Sequence, residues 1–310
     1  FEGATTFNLG TRITMAGSNP HGGEWRTDLQ LGTDPALFSE LNQPFGSTSN
    51  FFIAPRVDLQ QYNINAFSDD TAIARYRISE SEAGFDLGAE IGSIGEFRIG
   101  TFHGTGRGKV KVGDPSIDNL NFDTGGLLGR LRFDTRDNAQ FPRRGVRADM
   151  VWEHSLPGLG ADERFDTVST DVDATWSRGK NSVQLGLSYA TTIDAQDSIQ
   201  NFFPLGGFLR LSGLERGEIS GPHAALARVL YYRRVGDSAG GLFDVPIYLG
   251  ASAELGNVWQ SRSEISFDSA RFNGSIFAGL DTIIGPIYFA AGLAEGGRSN
   301  FYLFFGGPPR

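Results

Sequence analysis

Apolar and polar residues alternate with a period of two along almost the whole chain, in segments of about ten residues separated by turn-forming stretches. Phe7, Leu9, Thr11, Ile13 and Met15 fall on one side of the first segment, with Asn8, Arg12 and Thr14 on the other. Trp25, Thr27, Leu29 and Leu31 likewise oppose Arg26, Asp28 and Gln30, and Phe85, Leu87, Ala89 and Ile91 oppose Asp86 and Glu90. Leu127, Leu131 and Phe133 stand against Arg130, Arg132 and Asp134, then Val146, Ala148, Met150 and Trp152 against Arg147 and Asp149. Further rows are Val168 to Trp176 against Asp171 and Asp173, Val183 to Tyr189, Ala225 to Tyr231 against Arg228 and Tyr232, Ala251 to Leu255 against Ser252 and Glu254, and Ile276 to Leu280 against Asp281. Charge keeps to one face, as in strands that have lipid on one side and a polar lumen on the other. The fold class predicted is all-β: a transmembrane antiparallel β-barrel.

With segments at 37–45, 51–67, 97–112, 287–293 and 301–305, the pattern counts about 15 strands. Single-chain bacterial barrels close with an even number, so about 16 are expected. Two repairs are open. Phe1-Glu2-Gly3 looks like the tail of a segment that begins upstream, which would leave the first strand truncated. Alternatively, Ala72, Ala74, Tyr76 and Ile78 against Arg75 and Arg77 form a strand separate from the one containing Phe85. Connections alternate between short ones, such as Gly179-Lys180-Asn181, and long ones near 113–121, 156–166, 260–270 and 194–222. Short turns belong to the periplasmic side and long loops outside. A stretch as long as 194–222 without an alternating row of its own is commonly functional.

Composition narrows the class. The chain has 310 residues, of which 39% are hydrophobic, and no uncharged apolar run of about 18 residues spans a bilayer as a helix. Its 42 Gly and 25 Phe against 2 Met suit twisted strands with tight turns. A net charge of -9 argues against nucleic acid as a partner. One closed barrel absorbs the full length, so 1–310 is read as a single domain; a soluble β-sandwich also alternates but rarely needs so many even segments.

Catalytic chemistry finds little footing. Gly236-Asp237-Ser238-Ala239-Gly240 matches the G-x-S-x-G elbow of serine hydrolases, but Gly241 to Pro246 leads to another strand where the elbow needs a helix. His21-Gly22-Gly23-Glu24 has the look of an oxyanion loop without the supporting context. His21, His103, His154 and His223 are scattered, at no metal-ligand spacing, and Asp171 and Asp173 fall on the lumen face where charge is routine. No catalytic residue, cofactor or metal is expected.

Two stretches are more specific. Leu127 to Gly145 runs from a strand through Asp134, Arg136, Asp137, Asn138, Pro142 and Gly145 into the next strand; Pro142 removes a donor and Gly145 permits a reversal, which fixes a periplasmic turn. It resembles the D-x-R-D-N-x-x-x-P-x-x-G turn of the bacterial surface antigen superfamily of outer-membrane assembly and secretion barrels. Phe203-Pro204-Leu205-Gly206-Gly207-Phe208-Leu209-Arg210-Leu211-Ser212-Gly213-Leu214, in the longest loop, is similar to that superfamily's inward-folded loop with V-R-G-F/Y at its tip. There the arginine reaches an acid on a later strand, in a stretch resembling Ala253-Glu254-Leu255-Gly256-Asn257-Val258-Trp259, so Glu254 matches the acid. This chain has Ser212 at the arginine position. Ser212, Arg210 or Arg216 is then the group that meets Glu254, and the sequence leaves the choice open, as it leaves open a lumen carboxylate in contact with water.

Leu211-Ser212-Gly213-Leu214, Gly256-Asn257-Val258-Trp259 and Gly296-Gly297-Arg298-Ser299 look most like the C-terminal barrel of patatin-like phospholipase autotransporters, the type Vd secretion class. The resemblance implies a Gram-negative outer-membrane barrel that translocates or anchors a fused N-terminal lipase passenger, with phospholipase activity in that absent domain and no enzyme in the barrel. A two-partner secretion transporter or barrel-assembly factor is the alternative, and an integral lipase using Ser238 a third. Partners so implied are outer-membrane lipids, the passenger, the barrel-assembly machinery during biogenesis, and a second copy if barrels pair.

Overall fold

The alternating rows become the two faces of one closed sheet. The computed structural model describes residues 8–46, 50–68, 71–113, 118–193, 202–235, 245–282 and 285–305, with 65–68 and 71–73 given by their backbone path alone. Its barrel strands are β1 (Asn8–Met15), β2 (Glu24–Gly32), β3 (Ala36–Phe45), β4 (Phe51–Ser68), β5 (Thr71–Ile91), β6 (Gly95–Gly113), β7 (Leu120–Asp134), β8 (Gly145–Ser155), β9 (Phe165–Arg178) and β10 (Asn181–Ile193). After the short β11 (Phe203–Leu205) and β12 (Ile219–Gly221), which pair with each other, come β13 (His223–Val235), β14 (Ile247–Trp259), β15 (Arg271–Thr282), β16 (Gly285–Ala294) and β17 (Arg298–Phe305). Each segment counted in the sequence falls within one barrel strand, except that Phe7 of the first lies outside the described residues. Outward rows are apolar and exposed, as at Ile13, Leu87, Leu131, Leu187 and Ile276, while Asp86, Asp173 and Glu254 on the inward rows are buried.

The described residues carry 15 barrel strands, close to the expected 16. An odd count forces one parallel junction, and β1 meets β17 in parallel at Leu9 and Phe305 while every other neighbouring pair is antiparallel. The row at 72–78 is not a separate strand. It opens β5, and Ala74, Tyr76 and Ile78 are buried on the same inward face as Asp86. Apolar residues stand on the inward face there because they pack with Ile64 and Phe122 beside Phe202 of the long connection. Strands β4, β5 and β6 run to 18, 21 and 19 residues and overshoot their neighbours at this end, since β3 stops at the Ala36–Gln60 pair.

Strands β6 and β7, β8 and β9, β10 and β13, and β14 and β15 are joined at the end from which β4 to β6 project; convention for such barrels makes it the extracellular end. Turn 135–144 and turn 179–180 lie at the periplasmic end.

Inside, the wall is divided. From β3 to β13 a belt of ion pairs runs from Glu40 to Arg98 at 2.6 Å, to Glu96 at 3.0 Å, to Arg132 at 3.2 Å and to Asp149 at 2.9 Å. It continues through Arg147 at 3.9 Å to Asp173, which Arg228 holds at 2.6 Å. Above this belt is a polar cavity of about 720 Å³, walled by strands β2 to β9 and lined by both signs of charge, including Arg56, Asp58, Glu82 and Glu153. Toward the periplasmic end the inward face of β13 to β16 is instead apolar and aromatic, where Leu230, Tyr232, Tyr248, Phe277, Tyr288 and Ala290 form a buried cluster; farther up, the same face carries Arg228, Glu254, Asn273 and Ser275.

Candidate functional site

The second half of the barrel wall carries buried apolar and polar side chains because a segment of chain lies against it. Residues 202–222 enter from the extracellular end as the β11–β12 hairpin and send a tight tip between Gly206 and Gly217 into the lumen. Six positive-φ residues build that tip: Gly206, Gly207, Leu209, Leu211, Gly213 and Gly217. Leucine pays for left-handed backbone, so Leu209 (φ 61°) and Leu211 (φ 68°) are held there by their surroundings. Leu211 is 0% exposed and packs with Leu205, Leu214, Ile219 and Leu226.

Ser212 is the contact point. Its backbone N–H donates to Glu254 Oε2 at 2.6 Å and its hydroxyl to Glu254 Oε1 at 2.7 Å, both groups being fully buried. Ser252 Oγ adds a third donor to Glu254 at 2.5 Å, and Leu209 N–H donates back to Ser212 Oγ at 2.9 Å. A buried carboxylate is thus met by neutral donors, and no ion pair to Glu254 occurs among the described residues. Asn273 Nδ2 reaches Ser212 O at 2.6 Å, Asn300 Nδ2 reaches Gly213 O at 3.0 Å, and Tyr302 Oη bonds both Gly213 N and Leu214 O at 3.1 Å. Strands β14, β15 and β17 therefore all hold the tip.

Backbone closeness makes these bonds reachable. A Cβ on Gly292 of β16 would sit 2.5 Å from Gly213 N and 2.9 Å from Ser212 Cβ; one on Gly213 would sit 2.5 Å from Ala294 N. The tip and the wall meet glycine to glycine, which brings a side chain as short as serine within reach of Glu254.

Neither arginine of the loop reaches that carboxylate. Arg210 Nη2 makes a long 3.5 Å bond to Pro204 O, and Arg216 pairs with Asp34 of the β2–β3 turn at 2.8 Å. Glu215 pairs with Arg75 of β5 at 2.9 Å, and Glu218 with Arg298 of β17 at 2.6 Å. The loop is bonded to both halves of the barrel, and the ion-pair belt ends on it, where Arg228 Nη1 donates to Leu209 O at 3.2 Å.

The periplasmic turn is built from its own side chains. Asp134 takes the Arg136 backbone N–H at 3.0 Å and its guanidinium at 2.7 Å; Asn138 Oδ1 takes the N–H groups of Gln140 and Phe141 at 2.7 and 2.9 Å; Asp137 Oδ1 takes that of Arg143 at 2.8 Å. Gly145 (φ 113°) closes it against Thr135 O, and Tyr232 Oη donates to Pro142 O. What the sequence did not reveal is Phe141, absent from the motif residues singled out above. It is 3% exposed and turns into the barrel, stacking on Tyr248 with centroids 4.1 Å apart, beside Tyr232 and Tyr288 and over Gly279. Phe208 from the loop tip packs on Phe277 and Tyr288 in the same cluster. A phenylalanine spaced alone in a polar turn is the signal that points to it.

Other candidates disperse. Asp171 bonds Ser188 and Asp173 bonds Arg228, so the two do not form an acid–base pair. His154 meets Asp166 and His223 meets Thr191, and no group of metal-ligating side chains occurs among the described residues. Ser238 lies in 236–244, outside the described residues.

Comparison with known proteins agrees with this architecture. No curated protein matches the chain by sequence. Among solved structures, BamA from Haemophilus ducreyi lacking POTRA domains 1–3 is similar in fold, with a TM-score of 0.73 at 13% identity over 96% of this chain and 66% of that one. CdiB from Escherichia coli (TM-score 0.65) and CdiB from Acinetobacter baumannii (0.62) are each 11% identical over 96% of this chain. This chain spans 58% and 56% of those two, so it corresponds to roughly three-fifths of their length. The Omp85 superfamily domain matches residues 39–293, and with the barrel described above this shows that the chain belongs to the Omp85 superfamily of Gram-negative outer-membrane barrels.

Proposed function

We propose that this barrel handles polypeptide: it translocates or anchors an N-terminal passenger of the patatin-like lipase type, and the seated loop 202–222 closes its lumen when no chain is in transit. The observation that carries the reading is the buried Ser212–Glu254 contact, since it gives a large inward segment one defined resting place on the wall. The loop's other bonds run to Asp34, Arg75 and Arg298 near the extracellular end and to Arg228, Asn273, Asn300 and Tyr302 of the inner wall, so withdrawing it would expose a polar face that runs from Glu254 through Arg228 and Asp173 to Arg98. The passenger part rests on the resemblance of the 211–214, 256–259 and 296–299 stretches. In this reading the barrel itself catalyses nothing; 1–310 acts as one domain, and the periplasmic turn from Asp134 to Gly145 supports the loop from below through Phe141.

A two-partner secretion transporter or an assembly factor is the second reading, favoured by likeness of fold to CdiB and BamA. The reading frame upstream of Phe1 separates the two: a patatin domain there supports the first and its absence overturns it. Deleting 202–222 tests the closure in either case. Single-channel conductance in planar bilayers should rise severalfold, and an unchanged conductance would refute it. For the lipase alternative, S238A in the isolated barrel should leave lipid hydrolysis at the background level of the unaltered barrel.

A further inference from the structure

The outward face of β9, β10 and β13 changes character in single steps toward the periplasmic end. Val172, Leu187 and Ala227 lie side by side in one rung, and Ala174, Leu185 and Val229 in the next. Below them Trp176 and Tyr231 flank Val183, and the rung after that places Arg178 and Arg233 on either side of Asn181. Trp176 and Tyr231 are 56% and 42% exposed, and both arginines are exposed. Side chains two apart on a strand share a face, so the arginines point the same way as the aromatic rings.

This is the order in which a bilayer changes: hydrocarbon, then interface, then headgroup. Strands lie about 4.8 Å apart, so two arginines separated by one strand have Cα atoms about 10 Å apart, a span that two guanidinium groups close around one phosphate. Tyr231 Oη donates to Asn181 Oδ1 at 2.7 Å, which directs the ring toward the arginine rung. Neither Arg178 nor Arg233 is in an ion pair among the described residues. Arg143 and Arg144 of the neighbouring turn are exposed and extend the positive surface, Arg143 being tied to Gly179 O at 2.7 Å. The charge is local: connections 16–23 and 92–94, at the same end, contain no Lys or Arg in a chain of net charge -9.

We propose that Arg178 and Arg233, with Asn181 between them and Trp176 and Tyr231 above, form a binding site for the phosphate headgroup of an anionic glycerophospholipid in the periplasmic leaflet. The guanidinium pair takes the phosphate, and the aromatic rings and the Val183 row take the start of the acyl chains. A soluble acidic protein would need the cations but not an aromatic rung joined to an apolar wall.

Native mass spectrometry of the intact chain in detergent, titrated with phosphatidylglycerol or phosphatidylethanolamine, tests this. We expect phosphatidylglycerol adducts to be favoured about tenfold, and R178Q/R233Q to weaken them by roughly ten- to thirtyfold, at about one headgroup interaction per arginine. The double variant R107Q/K109Q removes the same charge from the exposed face of β6 at the other end and should bind as the unaltered barrel does. Heat-modifiable gel mobility verifies that each variant is folded. Equal binding of the two lipids, an unaffected R178Q/R233Q barrel, or equal loss in both double variants would overturn the site. Displacement by glycerol phosphate at concentrations equal to the lipid would show a free-phosphate site and overturn the lipid assignment, as would binding of an acidic periplasmic protein that requires Arg178 and Arg233 while lipid does not.

Discussion

Replacing Glu254 by alanine removes the acceptor of three donors at once. Ser252 Oγ can turn to Ser275 Oγ, 2.6 Å away, but the buried Ser212 N–H and O–H donate to no other acceptor among the described residues. A buried donor left without a partner costs about 1–3 kcal/mol, so the seated loop should lose about 3 kcal/mol once some relaxation is allowed. That shifts the balance of open to seated loop by roughly a hundredfold. S212A keeps the backbone bond to Glu254 and loses the hydroxyl, which also strands Leu209 N–H; S252A leaves both Ser212 donors satisfied. The expected order of effect is therefore E254A, then S212A, then S252A. Two assays read it: frequency of large-conductance openings in planar bilayers, and protease cleavage within 202–222 in proteoliposomes. If E254A shows the openings and cleavage of the unaltered barrel, or if S252A matches it, the contact does not hold the loop and the reasoning fails.

Four further outcomes are expected. G292A puts a methyl group 2.5 Å from Gly213 N, so it should unseat the tip by about 1–3 kcal/mol without removing any hydrogen-bonding group, and its conductance should resemble that of S212A. F141A empties an aromatic cluster from the periplasmic side and should destabilise the barrel by about 3–5 kcal/mol, read as a lower denaturant midpoint in liposomes. Arg98→Met leaves Glu40 buried without its 2.6 Å partner and should cost about 3 kcal/mol, most of which the double variant with Glu40→Gln should restore in the same measurement. R216A breaks a pair whose arginine is 37% exposed and should change the midpoint by less than about 1 kcal/mol; a large loss would show that the Asp34 contact, not Glu254, anchors the loop.

The barrel itself was legible because a lipid-facing row and a lumen-facing row differ in polarity, and the described residues of each counted segment lie in one strand. Legibility failed where partners distant in the chain, and not lipid or lumen water, decide which way a row faces. At the outer end of β5 the sequence alternates as Ala74, Tyr76 and Ile78 against Arg75 and Arg77, which by polarity alone puts the apolar row in lipid; instead that row is buried over the lumen and Arg75 meets Glu215 of the loop. In β13 and β15, Leu230 and Phe277 stand on the inward row beside Val229 and Ile276 on the outward one, and no period distinguishes a residue packed on the loop from one in lipid. Phe141 escaped for the same reason: its partners Tyr232, Tyr248 and Tyr288 are about 90 or more residues away in the chain, and one strand pair at a time cannot show them.

The serine at the tip gives a physical account of the glycines around it. An arginine would span several ångströms from its Cα to a wall carboxylate and would carry a compensating charge; serine does neither. Two consequences follow for a chain with serine there. The loop backbone must come close enough for its own N–H to bond the acid, which the paired Gly213 and Gly292 permit. The acid must also be satisfied by neutral donors, and Ser252 supplies the further one. S212R should therefore fail to restore a charged contact unless the backbone withdraws, because the Ser212 Cβ is already 2.9 Å from where a Gly292 side chain would begin and the residue is fully buried. Conductance recordings of S212R should show a loop held no more firmly than in S212A; tighter closure in S212R would mean that room for the longer side chain exists and that glycine contact is not what sets the resting place.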